Sequence, residues 1–266
     1  MGLRASEIEK DLVQGKAEEL LEKVTEPEGF AGGLQALLRL ASEEQRQSSY
    51  RRIVPQMGEN YGTPIPVLRI IASELGKFGQ RNPDQIFPIL GLLWNNGSFE
   101  ERTIVAKSLE KVGKGDWGRS LQLIRSFIGD ISDWAICDQL AMFGMKPLIT
   151  GHPTEVLPLC RKWAQDDNKW IRRFGVVALY SLTKDKKYQL GRREFLILEL
   201  LMEDRDKEVK KAVAWILREM SKKESQMAFE FLVSQAEGGC KDTRWIVREG
   251  SKKLPGEDRE RLLSLL

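Results

Sequence analysis

Histidine and cysteine are scarce in this chain: one histidine, His152, and three cysteines, Cys137, Cys160 and Cys240, stand among 266 residues. A zinc centre needs several such ligands close together, and no CxxC or Cys/His cluster occurs, so no metal site is expected. Odd in number and widely spaced, the cysteines do not read as a disulfide framework, which points to a reducing, cytoplasmic setting. His152 sits in GHPTE beside Pro153, a pattern that reads as a helix-capping loop rather than a catalytic element. Long apolar runs are missing as well. No stretch approaches the ~18 residues of a membrane-spanning helix. The N-terminal MGLRASEIEKDLVQGKAEELLEKV reads as a charged amphipathic helix without the apolar core of a signal peptide. A soluble protein with no membrane partner is expected.

Excess charge of one sign is also lacking, with 42 basic against 39 acidic side chains. The distribution is uneven. Residues 1–50 carry about four more acids than bases, and residues 161–253 about seven more bases than acids. Such asymmetry fits either solvated helix faces or a surface that meets a polyanion. The lysine pairs at 186–187, 210–211, 222–223 and 252–253 carry the same two readings.

What the chain has is helical periodicity. Leu68, Ile71, Ala72 and Leu75 form one apolar stripe, and Ile104, Val105, Ser108, Leu109 and Val112 form another. Glycine and proline fall between such stretches, in QRNPDQ, KGDWGR, GMKPLITGHPTE and KLPGED, where helix ends belong. Strand-like alternation is not evident, so an all-α protein is expected. Similar segments open at Phe99, Trp134, Trp170, Val209 and Trp245, in steps of 35, 36, 39 and 36 residues. That is the period of HEAT-like helical-repeat solenoids, in which each helix pair buries its face against the next. One domain over 1–266 is expected: capping helices over 1–44, a repeat core over 45–254 and a C-terminal helix over 255–266.

In a solenoid the same helix of each repeat lines a concave surface. On that reading Arg102, Trp134 with Asp138, Arg173, Trp215 and Arg248 share a basic groove. Guanidinium groups there would pair with phosphates, and indoles would offer flat walls for bases or sugars. Trp94, Trp117 and Trp163 read as packing residues and Trp170 as mostly structural. Arg218 and Glu219 read as a helix-surface or inter-repeat ion pair, with contact to DNA as the other reading. Asp138 is the awkward residue. In ISDWAICDQLA it lies among Ile136, Cys137 and Leu140, and a carboxylate buried without a partner costs several kcal/mol. A paired structural charge, a capping acid and a working carboxylate all fit the pattern.

The ordered set DWAICDQL, DDNKWIRRFGVVAL and VKKAVAWILREMSK resembles the core of the DNA alkylation repair (AlkD-like) family of DNA glycosylases. The resemblance extends over about residues 45–254, through YGTPIPVLRIIASEL, SFEERTIVAKSLEK and WIVREGSKKL. It implies a HEAT-like solenoid whose basic concave face grips double-stranded DNA and excises N3- or N7-alkylated purines. By motif, Asp138 matches the catalytic acid, Trp134 and Trp215 the aromatic residues lining the lesion, and Arg173 the arginine beside them. KDKKYQLGRREF is longer than the family pattern, and a family tyrosine has no clear counterpart, with Tyr50 and Tyr61 the two candidates.

The chemistry agrees with that implication. An alkylated purine is already a cationic leaving group, so one carboxylate near the sugar suffices to stabilise the oxocarbenium charge and position water. No metal or organic cofactor is needed. No lysine accompanies the motif as a Schiff-base nucleophile, so a monofunctional, monomeric hydrolase is expected, nucleoid-associated if the source is prokaryotic. The alternative is a non-catalytic HEAT-repeat module that binds DNA structures or a protein partner.

Overall fold

The computed structural model describes residues 10–95 and 97–266, and every regular element among them is helical. Residues 1–9 of the expected N-terminal helix lie outside the described residues. The chain packs as two compact units, one ending at Leu148 and the other beginning at Ile149.

The first unit holds α1 (Lys10–Leu21), α2 (Pro27–Leu40), α3 (Glu44–Ile53), α4 (Ile65–Arg81), α5 (Pro83–Asn95), α6 (Phe99–Gly115), α7 (Trp117–Phe127) and α8 (Trp134–Gln139). Helix starts follow capping chemistry. Ser98 and Glu101 form a reciprocal capping box at α6, Asp116 caps α7, and Pro83 opens α5. The two stripes read from the sequence face each other: Leu68, Ile71 and Leu75 on α4 and Ile104, Val105 and Leu109 on α6 are all fully buried. Gly79 lets this pair close, because a Cβ there would lie 2.7 Å from Ile86 and 2.9 Å from Val112. α6 then packs on α8 and the turn that follows it. α1 packs on α2 and α4.

α9 (Lys146–Gly151) carries the chain into the second unit, with α10 (Pro153–Trp163), α11 (Lys169–Val177), α12 (Tyr180–Lys184), α13 (Arg192–Glu199), α14 (Lys207–Lys223), α15 (Ser225–Ala236), α16 (Lys241–Gly250) and α17 (Gly256–Leu263). Here α11, α14 and α16 pack in succession. The five segments singled out by their spacing are therefore α6, α8, α11, α14 and α16. α16 begins four residues before its expected Trp245.

Polar and aromatic contacts repeat the same step. The Ser108 hydroxyl donates to the Ala72 carbonyl 36 residues back, Lys146 pairs with Glu110 at 2.6 Å across 36 residues, and Arg119 pairs with Asp84 across 35. In the second unit Arg172 grips Asp204 at 2.7 Å, Lys184 pairs with Glu219 and Lys210 with Asp242. Exposed pairs of this kind add at most about 1 kcal/mol each. Burial of each leucine or isoleucine contributes about 1.5–3 kcal/mol, so the apolar seams hold the stack and the ion pairs set its register.

One loop of the first unit is tied by a buried acid. Glu100 Oε1 accepts from the backbone N–H groups of Tyr61 (3.0 Å), Gly62 (2.8 Å) and Thr63 (3.1 Å). Gly62 has φ of +77°, and a Cβ there would fall 2.5 Å from the Glu43 carbonyl, so the turn requires glycine. Burial pushes the Glu100 carboxyl above its ordinary pKa, and the three N–H groups only partly oppose this. A raised carboxyl contributes stability that is complete below the ordinary pKa and is lost as pH rises through the folded value. Glu100→Gln is therefore expected to flatten the pH dependence of stability, gaining on the wild type as pH rises above the ordinary carboxylate range. Glu100→Ala, which leaves three amides without an acceptor, is expected to destabilise by about 3 kcal/mol in urea melts. A loss within experimental error would mean that the loop is anchored elsewhere.

Candidate functional site

α8 is short, and a buried acid positions it. Asp133 is its N-cap, and Oδ1 accepts from Ala135 N (2.8 Å) and Ile136 N (3.0 Å). At 4% exposure the Asp133 carboxyl is pushed up by burial, while its two N–H donors and the charge of Arg102 pull it down. Ala135, Ile136 and Cys137 turn inward, whereas Trp134 and Asp138 are half-buried. One turn apart, they share a helix face. The awkward acid thus sits at the margin of the apolar seam rather than inside it.

Directly after Gln139 the helix widens into a π turn, Leu140–Gly144, closed by Met145 N donating to Leu140 O at 3.2 Å. Single π turns recur at functional sites because they re-aim the side chains around them. Met142 and Phe143 are half-exposed on this one. Arg102 supports the same region from α6. Its Nε donates to the Trp94 carbonyl at 3.1 Å, and its guanidinium lies 5.4 Å from the Trp94 ring. Trp94 is fully buried and stacks on Phe127 at 4.4 Å, as a packing residue should.

In the second unit, Arg173 lies on α11 and Trp215 on α14, two helices in contact. Arg173 is 5% exposed. Its Nη1 donates to the Glu208 carbonyl and lies 3.9 Å from the Glu208 carboxylate. Trp215 is half-buried against Tyr180, ring centres 5.1 Å apart. Arg248 on α16 is exposed. The expected Arg218–Glu219 pair is replaced by two inter-repeat contacts. Arg218 donates to the Glu249 carbonyl at 3.2 Å, and Glu219 pairs with Lys184, with Lys222 of the same helix as its local partner. Neighbouring helical positions diverge by about 100°, so each side chain finds a different helix.

The remaining candidates sort by burial. Trp163 and Trp170 are buried, while Trp117 at the start of α7 stays half-exposed. Tyr50 donates to the Thr63 carbonyl at 3.2 Å, and Tyr61 lies under the Arg39 guanidinium at 5.0 Å. His152 is the residue before α10, with Pro153 opening that helix. No described residues form a group of three or more His, Cys, Asp or Glu that could hold a metal, and no described helix is long and apolar enough to cross a membrane. Sequence reading missed the capping role of Asp133, although an Asp just before the helix-opening Trp134 is the usual signal for it. It also missed Tyr180 as the neighbour of Trp215, since their contact crosses 35 residues, and nothing in LAMFG marks a π turn.

Comparison with known proteins adds identity to this geometry. Residues 34–254 match the family model described as DNA alkylation repair enzyme. No curated protein matches by sequence. Among solved structures, the fold is similar to a "Predicted DNA alkylation repair enzyme" from Enterococcus faecalis, with a TM-score of 0.68 at 15% identity over 81% of this chain and 97% of that one. AlkD2 from Streptococcus mutans gives a TM-score of 0.57 at 15% identity, covering 80% of this chain and 99% of its own. The protein smu.31, also from Streptococcus mutans, gives 0.53 at 18% identity, covering 71% and 100%. At these identities the likeness is one of fold, an all-α helical-repeat architecture. With the family model matched over most of its length, the chain belongs to the DNA alkylation repair enzyme family.

Proposed function

We propose that this protein is a monofunctional DNA glycosylase that hydrolyses the N-glycosidic bond of N3- or N7-alkylated purines in duplex DNA. Asp138 is its one catalytic carboxylate. The observation that carries the reading is the half-exposed Trp134–Asp138 pair, one turn apart between a buried cap and a π turn, in a chain of a DNA alkylation repair family.

The chemistry follows from the substrate. An alkylated purine departs as a neutral base, so no general acid is required to protonate it. Positive charge accumulates instead on the deoxyribose, and a fixed carboxylate beside that sugar lowers the barrier electrostatically while orienting or deprotonating water. Paired carboxylates, which glycosidases use because their leaving alkoxide must be protonated as it departs, are unnecessary here. Trp134 offers a π-face to a cationic nucleotide, an attraction of about 0.5–2 kcal/mol. Within the second unit, Trp215 is by motif a further aromatic residue for the nucleotide, and the exposed Arg248 a contact for phosphate. Arg173, buried and bonded to Glu208, acts as a positioning residue. Arg102 braces the Trp94 end of α5 and the charge at the start of α8.

Purified protein is expected to release 7-methylguanine or 3-methyladenine from methylated duplex DNA, read by chromatography of the freed base. Asp138→Asn is expected to lower release by at least about 100-fold while leaving duplex affinity within a factor of two or so. Undiminished release would remove Asp138 from the mechanism, and absence of release by the wild type would favour a DNA-binding module. Asp133→Ala is expected to cost about 1 kcal/mol and to slow release by loosening α8. Asp133→Asn, which keeps a capping oxygen, should restore most of both, and equal behaviour of the two variants would show that the cap does not position Asp138.

A further inference from the structure

A pocket of about 230 Å³ opens on the first unit between α4, α6 and the π turn, lined in part by Arg69, Ser73, Lys107, Glu110, Lys111 and Phe143. Its charges do not balance. Three cations line it against one acid, and that acid, Glu110, is already paired with Lys146 at 2.6 Å. Two of the cations are held in place. The Lys107 ammonium sits 3.5 Å from the centre of the Phe143 ring, and Lys111 donates to the Ser73 hydroxyl at 2.8 Å and to its carbonyl at 3.3 Å. The third, Arg69, is exposed at the rim.

Such an arrangement repels itself while empty. Burial and the neighbouring Arg69 push Lys107 down to about 8, against the weaker pull of Glu110. Lys111 is lowered too, first by burial and then by Lys77, with Lys114 adding to this and Glu74 and Glu110 opposing it. A bound anion would remove the repulsion and restore the full charge of both lysines. A metal cation is repelled for the same reason. Ammonium groups, a guanidinium and a hydroxyl converging on one small cleft match the several oxygens of a phosphate group.

We infer that Arg69, Lys107 and Lys111 form a seat for one phosphate group, filled by a diester of the DNA backbone. The identity of the phosphate rests on the function proposed above; the seat itself rests on the charges and the cleft. Its lining includes Phe143 of the π turn that begins two residues after Asp138. A phosphate held there sets where along the duplex α8 meets the backbone, which makes Lys107 a positioning residue.

Fluorescence anisotropy of a short unmodified duplex, titrated with protein at several salt concentrations, tests the seat. Lys107→Met and the rim variant Arg69→Met are each expected to weaken binding about tenfold and to reduce the slope of log affinity against log salt by about one. Lys107→Arg should retain affinity. Wild-type affinity should also fall more steeply than that of Lys107→Arg between about pH 7 and 9, since binding takes up the proton that Lys107 has partly lost. Unchanged affinity and salt slope in both methionine variants, with the fold verified by thermal melting, would overturn the proposal. Loss of inorganic-phosphate binding in Lys107→Met with duplex affinity intact would also overturn it, since the cleft would then serve a small free anion. The two readings fail separately. Asp138→Asn that still releases base sinks the catalytic account alone, whereas Lys107→Met and Arg69→Met that both bind like wild type sink only the seat.

Discussion

A single helix pair of this chain cannot bury its own apolar face, and the seam each pair makes with the next, some 36 residues on, is what the rest of the structure depends on. The α4–α6 seam shows how it works. Leu68, Ile71 and Leu75 meet Ile104, Val105 and Leu109, Gly79 lets the helices close, and Ser108 reaches back to the Ala72 carbonyl. The second unit repeats the device with α11, α14 and α16, adding Arg172–Asp204 and Tyr180–Trp215 across the same step. Because every seam consumes one face of a helix, the other edge is left to present polar and aromatic side chains. Trp134, Asp138, Trp215 and Arg248 occupy such edges, each half-buried or exposed.

The seam also explains how a carboxylate can be held beside an aromatic ring without being lost in the core. Ala135, Ile136 and Cys137 anchor α8 inward, Asp133 caps its start, and the π turn widens its end. Asp138 therefore stands on a short support with a capped start and a π turn at its end. That is the arrangement electrostatic catalysis needs, because a charge that must reorganise during the reaction loses its advantage.

The repeat architecture was legible because apolar stripes and opening residues recur along the chain; Phe99 and Trp134 both begin helices where the spacing placed them. Trp245 was a poorer marker. It is 40% exposed beside Lys210, and the buried positions of α16 are Thr243, Ile246, Val247 and Gly250. The break between the two units falls inside α9, between Leu148 and Ile149, in a glycine- and proline-flanked segment that reads from the sequence as an ordinary helix end. The π turn follows from packing around LAMFG rather than from its composition. At the site, the Trp134–Asp138 spacing was readable within one helix. The gathering of Arg69, Lys107 and Phe143 was not, because it joins three helices whose relative rotation only the folded chain sets.

Asp138 as a fixed negative charge facing a developing positive one is the claim on which the functional account turns. It is tested most directly by a duplex in which one nucleotide carries a cationic pyrrolidine in place of the deoxyribose, a stable mimic of the oxocarbenium ion. Affinity for this duplex relative to an unmodified one is measured for the wild type and for Asp138→Asn. The wild type is expected to prefer the cationic duplex by at least about 100-fold, and the variant to lose most of that preference while binding unmodified DNA as before. An equal preference in both proteins would contradict the account, for the charge of Asp138 would then contribute nothing where the reaction needs it.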